Sequence, residues 1–207
     1  MSFPFSGQAR LIFTLCALAT LLSFQACHRA GSKEEKALRA ELRQALRDRS
    51  FQRAAELARR ASQARPQDNG NWDRLVQAEF GMRDLNAVKQ TLQDWRRTVK
   101  KPSLNLEEYS GDLALEEKNS SDALQAWSKI IGLDPKNTRV LEKIARLEHS
   151  QHHWPEENAA WSASISVHED AMARLHRALC RRHLHRWEEA IEDLHRAQEL
   201  ASDDAEV

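Results

Sequence analysis

The residues that could support chemistry are few, and their spacing argues against catalysis. His149 and His153 lie four residues apart, as two metal ligands on one helix could, but no carboxylate follows at a recognised ligand spacing. The six glycines are too far apart to form either glycine-rich phosphate-binding motif, and no G-x-S-x-G or H-E-x-x-H sequence occurs. We therefore expect a protein that is not an enzyme, with no metal, cofactor or small-molecule substrate. Metal binding through the histidines is the weaker alternative.

The charge balance and composition indicate a helical protein without a nucleic-acid partner. The chain has 207 residues, and its 31 Lys and Arg residues balance 31 Asp and Glu residues. A surface that binds phosphates normally leaves an excess of basic charge, so we expect no nucleic acid. Glycine and proline are scarce, while alanine, leucine, glutamate and arginine are abundant, which favours an all-α fold.

The N-terminus has the pattern of an export signal. Arg10 precedes an uncharged run from Leu11 to Phe24. This run is shorter than the roughly 20 apolar residues of a membrane-spanning helix, and it matches the apolar part of a secretory signal, which has about 7–15. The following Ala26-Cys27 resembles the lipobox of bacterial lipoproteins, in which the cysteine is acylated and becomes the mature N-terminus. The resemblance implies a signal peptide at 1–26 and a lipidated tether at 27–34. An uncleaved signal anchor and ordinary secretion are the alternatives.

The same resemblance predicts a bacterial cell-envelope protein, anchored to a membrane through lipid on Cys27 and facing the periplasm. His28 stands where an aspartate often signals retention at the inner membrane, which favours the outer membrane. Cys16 would leave with the signal peptide, so Cys180 would be the one free thiol and no disulfide is expected. Its neighbours Leu179 and Arg181 indicate a helix position and not a reactive centre.

The rest of the chain is built from a recurring pattern. Leu124, Trp127, Ile130 and Leu133 have the spacing of one buried helical face. Gly111, Ala123, Trp127 and Pro135 resemble four characteristic positions of the tetratricopeptide repeat (TPR), a helix–turn–helix unit whose two helices are called A and B. Trp161 follows Trp127 at the spacing of one such repeat.

The resemblance extends over five consecutive units and implies an all-α, right-handed solenoid of about five antiparallel helix pairs. The units are 35–68, 69–103, 104–137, 138–170 and 171–204, followed by a tail at 205–207. Val88 and Glu157 stand where the family has a helix-B alanine. In the last unit three arginines occupy helix-A positions that are usually apolar or aromatic: Arg174, Arg177 and Arg181. A generic helical bundle is the alternative.

In this family helix-A side chains line a concave groove that binds a partner. Carried onto this sequence, the predicted groove is basic, then acidic, then mixed, and finally apolar with a basic edge. Its residues are Arg39, Arg43, Arg47, Glu108, Asp112, Arg146, His149, Leu175, Leu179 and Arg182. Such a pattern suits a peptide or helix with complementary charges. The alternative is that these charges only solvate exposed helices.

Two functions fit these predictions. The first is an interaction scaffold, in which a lipid-anchored periplasmic TPR protein binds a peptide or helix of an envelope-complex partner in its groove. The second is a structural subunit of an envelope assembly, with a passive groove and an exposed C-terminal repeat that docks on the assembly.

Overall fold

The computed structural model describes residues 33–205, so Cys27, the predicted signal peptide and most of the predicted tether lie outside it. Within this range all regular elements are α-helices, which confirms the all-α prediction. The helices are α1 (33–47), α2 (Phe51–Ala64), α3 (Asn69–Gly81), α4 (Leu85–Thr98), α5 (Leu104–Glu116), α6 (Ser120–Leu133), α7 (Thr138–Ser150), α8 (Trp154–Val167), α9 (Ala171–His183) and α10 (Trp187–Ala205). In this part of the chain no helix is both long and apolar enough to span a membrane.

The odd-numbered helices all end in the same turn. Within the described range the non-glycine residues with positive φ are Arg49, Arg83, Lys118, His152 and His185, one in each repeat and almost evenly spaced along the chain. At the third of these turns the Lys118 N–H donates to the Leu115 carbonyl at 2.9 Å, and the Asn119 N–H donates to the Ala114 carbonyl at 2.8 Å. The other four turns have the same two bonds. This Schellman motif satisfies the carbonyls at a helix C-terminus and turns the chain into the next helix.

Polar side chains cap the N-termini of three odd-numbered helices, α3, α7 and α9. Asp68 accepts from the Gly70 N–H at the start of α3, Asn137 from the Val140 N–H at the start of α7, and Asp170 from the Ala173 N–H at the start of α9. Such caps satisfy donors that the first helical turn leaves without partners. Caps and Schellman turns therefore mark helix ends that recur with the repeat.

The chain divides into two compact units, one ending at Ala87 and one starting at Val88, so the division falls inside α4. In the first unit α2 packs against α3; both bury leucine and alanine side chains, and α3 also buries Val76. Gly81 on α3 lies against Phe51 on α2: a Cβ at Gly81 would be 2.4 Å from a Phe51 ring carbon. Only glycine permits this close approach.

In the second unit consecutive helices from α5 to α10 pack against one another, and tryptophans fill much of the space between them. Trp127 and Trp161 are almost fully buried. A Cβ at Gly111 on α5 would lie 2.3 Å from Trp127 Nε1 on α6, so Gly111 allows α5 to approach α6, as the repeat resemblance implied. Trp127 Nε1 also donates to the Glu108 carbonyl at 3.3 Å, which satisfies its buried N–H.

Candidate functional site

The predicted basic residues of α1 differ in what they contact. Arg39 Nη2 lies 2.9 Å from Glu35 and 2.8 Å from Asp68, so this guanidinium joins α1 to the start of α3. Arg43 and Arg47 are exposed. The Arg39 guanidinium therefore makes contacts within the protein, whereas Arg43 and Arg47 present their charge to solvent.

The predicted acidic residues are held by cations of the next repeat. Lys143 Nζ on α7 lies 2.7 Å from Glu108 and 2.7 Å from Asp112, both on α5, and Arg139 also pairs with Glu108. Burial raises the pKa of Asp112 above its ordinary value, and the hydrogen bond from Lys143 opposes that shift without cancelling it. These carboxylates link α5 to α7, and the cations beside them neutralise the acidic stretch that the sequence predicts.

The other predicted groove residues lie on α7 and α9. Arg146 and His149 on α7 are exposed, and His176 on α9 is close enough to both for their charges to act on it. Helical spacing places Leu175, Leu179 and Arg182 on one side of α9, with Leu179 one turn from His176. The two leucines are half-buried and the arginine is exposed. We call these six residues the α7–α9 surface: Arg146, His149, Leu175, His176, Leu179 and Arg182.

Buried carboxylates hold the histidines of this region. His149 Nδ1 lies 3.1 Å from Glu157, and His153 Nδ1 lies 2.8 Å from Glu148. Glu157, which stands where the repeat resemblance implies alanine, also accepts from Trp161 Nε1 at 3.3 Å. Across residues 33–205 no three His, Cys, Asp or Glu side chains come together as a metal site would require.

Two tryptophan–histidine stacks join α8 to α9. Trp154 lies parallel to His183, with ring centroids 4.2 Å apart, and Trp161 lies parallel to His176 at 4.9 Å. Burial lowers the pKa of His176, and the positive charge of Arg146 lowers it further. His176 was not among the residues predicted from the sequence. His176 and His183 have the same spacing as Trp154 and Trp161, which is the sequence signal that could have identified the stacks.

The three unexpected arginines of α9 surround one buried carboxylate on α10. Asp193 is 0% exposed; one of its oxygens accepts from Arg174 and Arg177 at 2.6 Å, and the other accepts from Arg177 and Arg181 at 2.8 Å. Burial alone would raise the pKa of Asp193, but the hydrogen bonds from Arg177 and Arg174 outweigh it and hold the pKa below its ordinary value. We call these four residues the Asp193 cluster. Arginines at positions that are usually apolar require a buried counter-ion, so these three arginines were the sequence signal for a buried carboxylate such as Asp193.

Cys180 is a structural thiol. It is buried, and its Sγ–H donates to the Trp154 carbonyl at 3.0 Å. Burial raises its pKa to about 12, with the Glu157 charge adding to the shift. Because the thiolate is the reactive form, this side chain has little nucleophilic character at neutral pH.

The last helix exposes an apolar stripe. Trp187, Ile191 and Leu194 are 53%, 54% and 44% exposed, and their spacing places them on one side of α10. We call these three residues the α10 outer face. Contiguous exposed apolar side chains on a monomer commonly mark a binding surface.

Comparison with known proteins supports the fold. By sequence, the chain matches no protein-family profile and no curated protein. By structure, it resembles MamA (residues 41 to the end) from Desulfovibrio magneticus RS-1, with TM-score 0.67 and 14% identity, covering 82% of this chain and 96% of that one. It also resembles the C-terminal part of a TPR repeat-containing protein from Cytophaga hutchinsonii, with TM-score 0.67 and 12% identity, covering 78% and 64%.

A third similar structure is YrrB, described as a TPR protein with an unusual peptide-binding site. Its TM-score is 0.59 at 13% identity, and the match covers 78% of this chain and 84% of YrrB. At such low identity these likenesses concern the fold alone. They show that the chain has the all-α helical repeat fold of TPR proteins.

Proposed function

We propose that this protein is an interaction scaffold that binds a peptide or helix of a cell-envelope partner through helix-A side chains, without catalysis. The observation that carries the proposal is the α7–α9 surface, where the exposed charges of Arg146 and Arg182 lie on the same two helices as the half-buried Leu175 and Leu179. Apolar contacts would supply affinity, and the charges would set orientation and the association rate. The fold shared with YrrB, a peptide-binding TPR protein, supports this proposal.

The partner segment should be acidic beside an apolar stretch. Glu108 and Asp112 are neutralised within the chain, so the exposed helix-A charges that could meet a partner are mainly basic: Arg43 and Arg47 in the first unit, Arg146 and Arg182 in the second. Arg146 also lies 3.1 Å from Glu142 on the same helix, but this pair is exposed to solvent and contributes little. An extended or helical peptide with carboxylates spaced along one side fits this chemistry.

Charge reversal tests the proposal. Arg43→Glu and Arg146→Glu should each reduce capture of a membrane-extracted partner by the full-length chain. Arg60→Glu is the control, matched to Arg43→Glu, because Arg60 is exposed on α2, a B helix, and forms no ion pair with a described residue. Arg146→Glu also removes the exposed pair with Glu142 on the same helix, which costs little stability. Capture that is equal in all three variants would overturn the proposal. Arg39→Glu is a poor test, since it would break the contacts to Glu35 and Asp68.

The proposal also includes the cellular location of the protein. We place it in a bacterial cell envelope, lipid-anchored at Cys27 and facing the periplasm, with the outer membrane favoured. The support is the sequence pattern around Cys27. Intact mass should show a diacylglyceryl-sized increase on the full-length chain extracted from membranes, and Cys27→Ala should lack it. An unmodified Cys27 in membrane-extracted protein would contradict this part of the proposal.

The exposed α10 outer face favours a second candidate function, a structural subunit of an envelope assembly that docks through its C-terminal repeat. Ile191→Lys would place a charge in the middle of this face. If Ile191→Lys abolishes partner capture while Arg43→Glu and Arg146→Glu leave it intact, the structural-subunit function replaces the scaffold.

A further inference from the structure

The repeat shows what normally covers the outer side of a B helix. On α8, Trp154 and Trp161 are covered by His183 and His176 of α9, the A helix of the next repeat. Trp187 and Leu194 follow these two tryptophans at the spacing of one repeat, so they hold the same positions on α10. Within the described range no helix follows α10, and both side chains are about half exposed.

The side chains beside the α10 outer face indicate which kind of helix could pack on it. Glu188 and Glu192 flank the apolar stripe on α10; both are exposed, and neither pairs with a described cation. A helix that seats on the α10 outer face should therefore offer small or apolar side chains along its middle, with basic side chains around them.

The α1 helix, the first in the described range, has small and basic side chains on the corresponding side. His185 and Arg49 are the equivalent turn residues of the last repeat and the first, and the alignment that superposes them also matches His183 with Arg47 and His176 with Ala40. Arg47 and Ala40 are exposed, as is Ala37. The neighbouring cations on this side, Lys36 and Arg43, are exposed and form no ion pair with a described residue.

We propose that a second copy of this chain covers the α10 outer face with its α1 helix, so that copies associate head to tail. Arg47 of one copy then lies over Trp187 of the other, a cation–π contact in place of the stack between Trp154 and His183. Ala40 packs on Leu194, and Lys36 and Arg43 face the unpaired carboxylates of α10. The interface repeats between copies the contact that α8 and α9 make within one chain. It does not depend on partner binding at the α7–α9 surface.

Sedimentation of the full-length chain in detergent tests the proposal. The wild type should associate in a concentration-dependent way. Ile191→Lys on α10 and Ala40→Glu on α1 should each raise the dissociation constant by roughly tenfold or more, because each disrupts one side of the interface. Leu115→Lys, at an exposed leucine elsewhere in the chain, is the matched control and should associate like the wild type.

Mixing the two interface variants separates this interface from other modes of association. A mixture should form dimers through the intact α10 face of the Ala40→Glu chain and the intact α1 of the Ile191→Lys chain. A wild-type chain that stays monomeric over the accessible concentrations overturns the proposal. So does association that Ile191→Lys abolishes but Ala40→Glu leaves unchanged, since the occupant would then not be α1.

Disulfide cross-linking reports the same contact in membranes. Differently tagged Arg47→Cys and Trp187→Cys chains should cross-link when co-expressed, and Arg47→Cys with Leu115→Cys should not. Equal cross-linking of both pairs contradicts the proposed contact. Failure here leaves partner capture by Arg146, which lies outside this interface, unaffected, so the two proposals fail independently.

Discussion

Removing the carboxylate charge of Asp193 should destabilise the last repeat by several kcal/mol. Asp193 is fully buried between α9 and α10 and accepts four hydrogen bonds, at 2.6–2.8 Å, from three arginines that are themselves mostly buried. In Asp193→Asn the shape is kept, but an amide replaces the anion that neutralises the arginines, and its N–H groups point at other donors.

The expected magnitude follows from the cost of leaving buried charges without a counter-ion. Breaking a buried ion pair by removing one partner costs about 3–5 kcal/mol. The guanidinium groups can swing partly toward solvent, and Arg174 keeps its contact with Glu169, so we expect a loss in the lower half of that range. Whole domains are stable by only about 5–15 kcal/mol, so such a loss should be easy to measure.

Urea unfolding followed by circular dichroism, together with hydrogen exchange of the α9 and α10 amides, measures this loss. Exchange is included because the last repeat can open without global unfolding. Glu192→Gln is the control: Glu192 precedes Asp193 but is exposed, so its change should stay within about 0.5 kcal/mol. If the α9 and α10 amides exchange as slowly in Asp193→Asn as they do in Glu192→Gln, the energetic role assigned to the Asp193 cluster is wrong.

Three further predictions concern the repeat and its core. Lys118→Gly should stabilise the protein by about 1 kcal/mol in urea unfolding, because Lys118 has φ 63°. Glu116→Gly, at the last residue of α5, should destabilise it, and the reverse order would refute this reasoning. Gly111→Ala should cost about 1–3 kcal/mol, since the new Cβ would collide with Trp127; a neutral result in the same assay would contradict this packing. Because the folded-state pKa of His176 is lowered, the unfolded chain takes up this proton first, so the free energy of unfolding should fall as pH drops below about 6.5, by at most about 1.4 kcal/mol per pH unit. His176→Phe should remove that part of the pH dependence, and an unchanged profile would refute it.

The helical repeat fold could be predicted because its signals are local and recur. The small residue at Gly111, the large one at Trp127 and the periodic apolar positions each follow from the packing of two neighbouring helices. The turns were harder to predict, since none of the five positive-φ residues is a glycine. A Schellman turn favours glycine but tolerates other residues when the two backbone bonds form.

The candidate site was only partly predictable, because sequence spacing does not give partners across helices. Glu108 and Asp112 were expected in a groove, and their pairing with Lys143 of the next repeat needed the structure. The Asp193 cluster was missed for the same reason: the arginines of α9 stood out, but their counter-ion lies on another helix. Helix-A charges thus divide into those that link neighbouring repeats, such as Glu108 and Asp112, and those that stay exposed to solvent, such as Arg146 and Arg182.

The central claim is that exposed helix-A side chains contact a partner protein, and photocross-linking in native membranes tests it most directly. A photoreactive amino acid would replace Arg146 on the α7–α9 surface in one full-length chain and Arg60 on α2 in another. The proposal predicts one dominant cross-linked envelope protein from position 146, lost when that protein's acidic segment is neutralised, and no such product from position 60. The same cross-links from both positions, or none from position 146 in chains that remain folded, would contradict it.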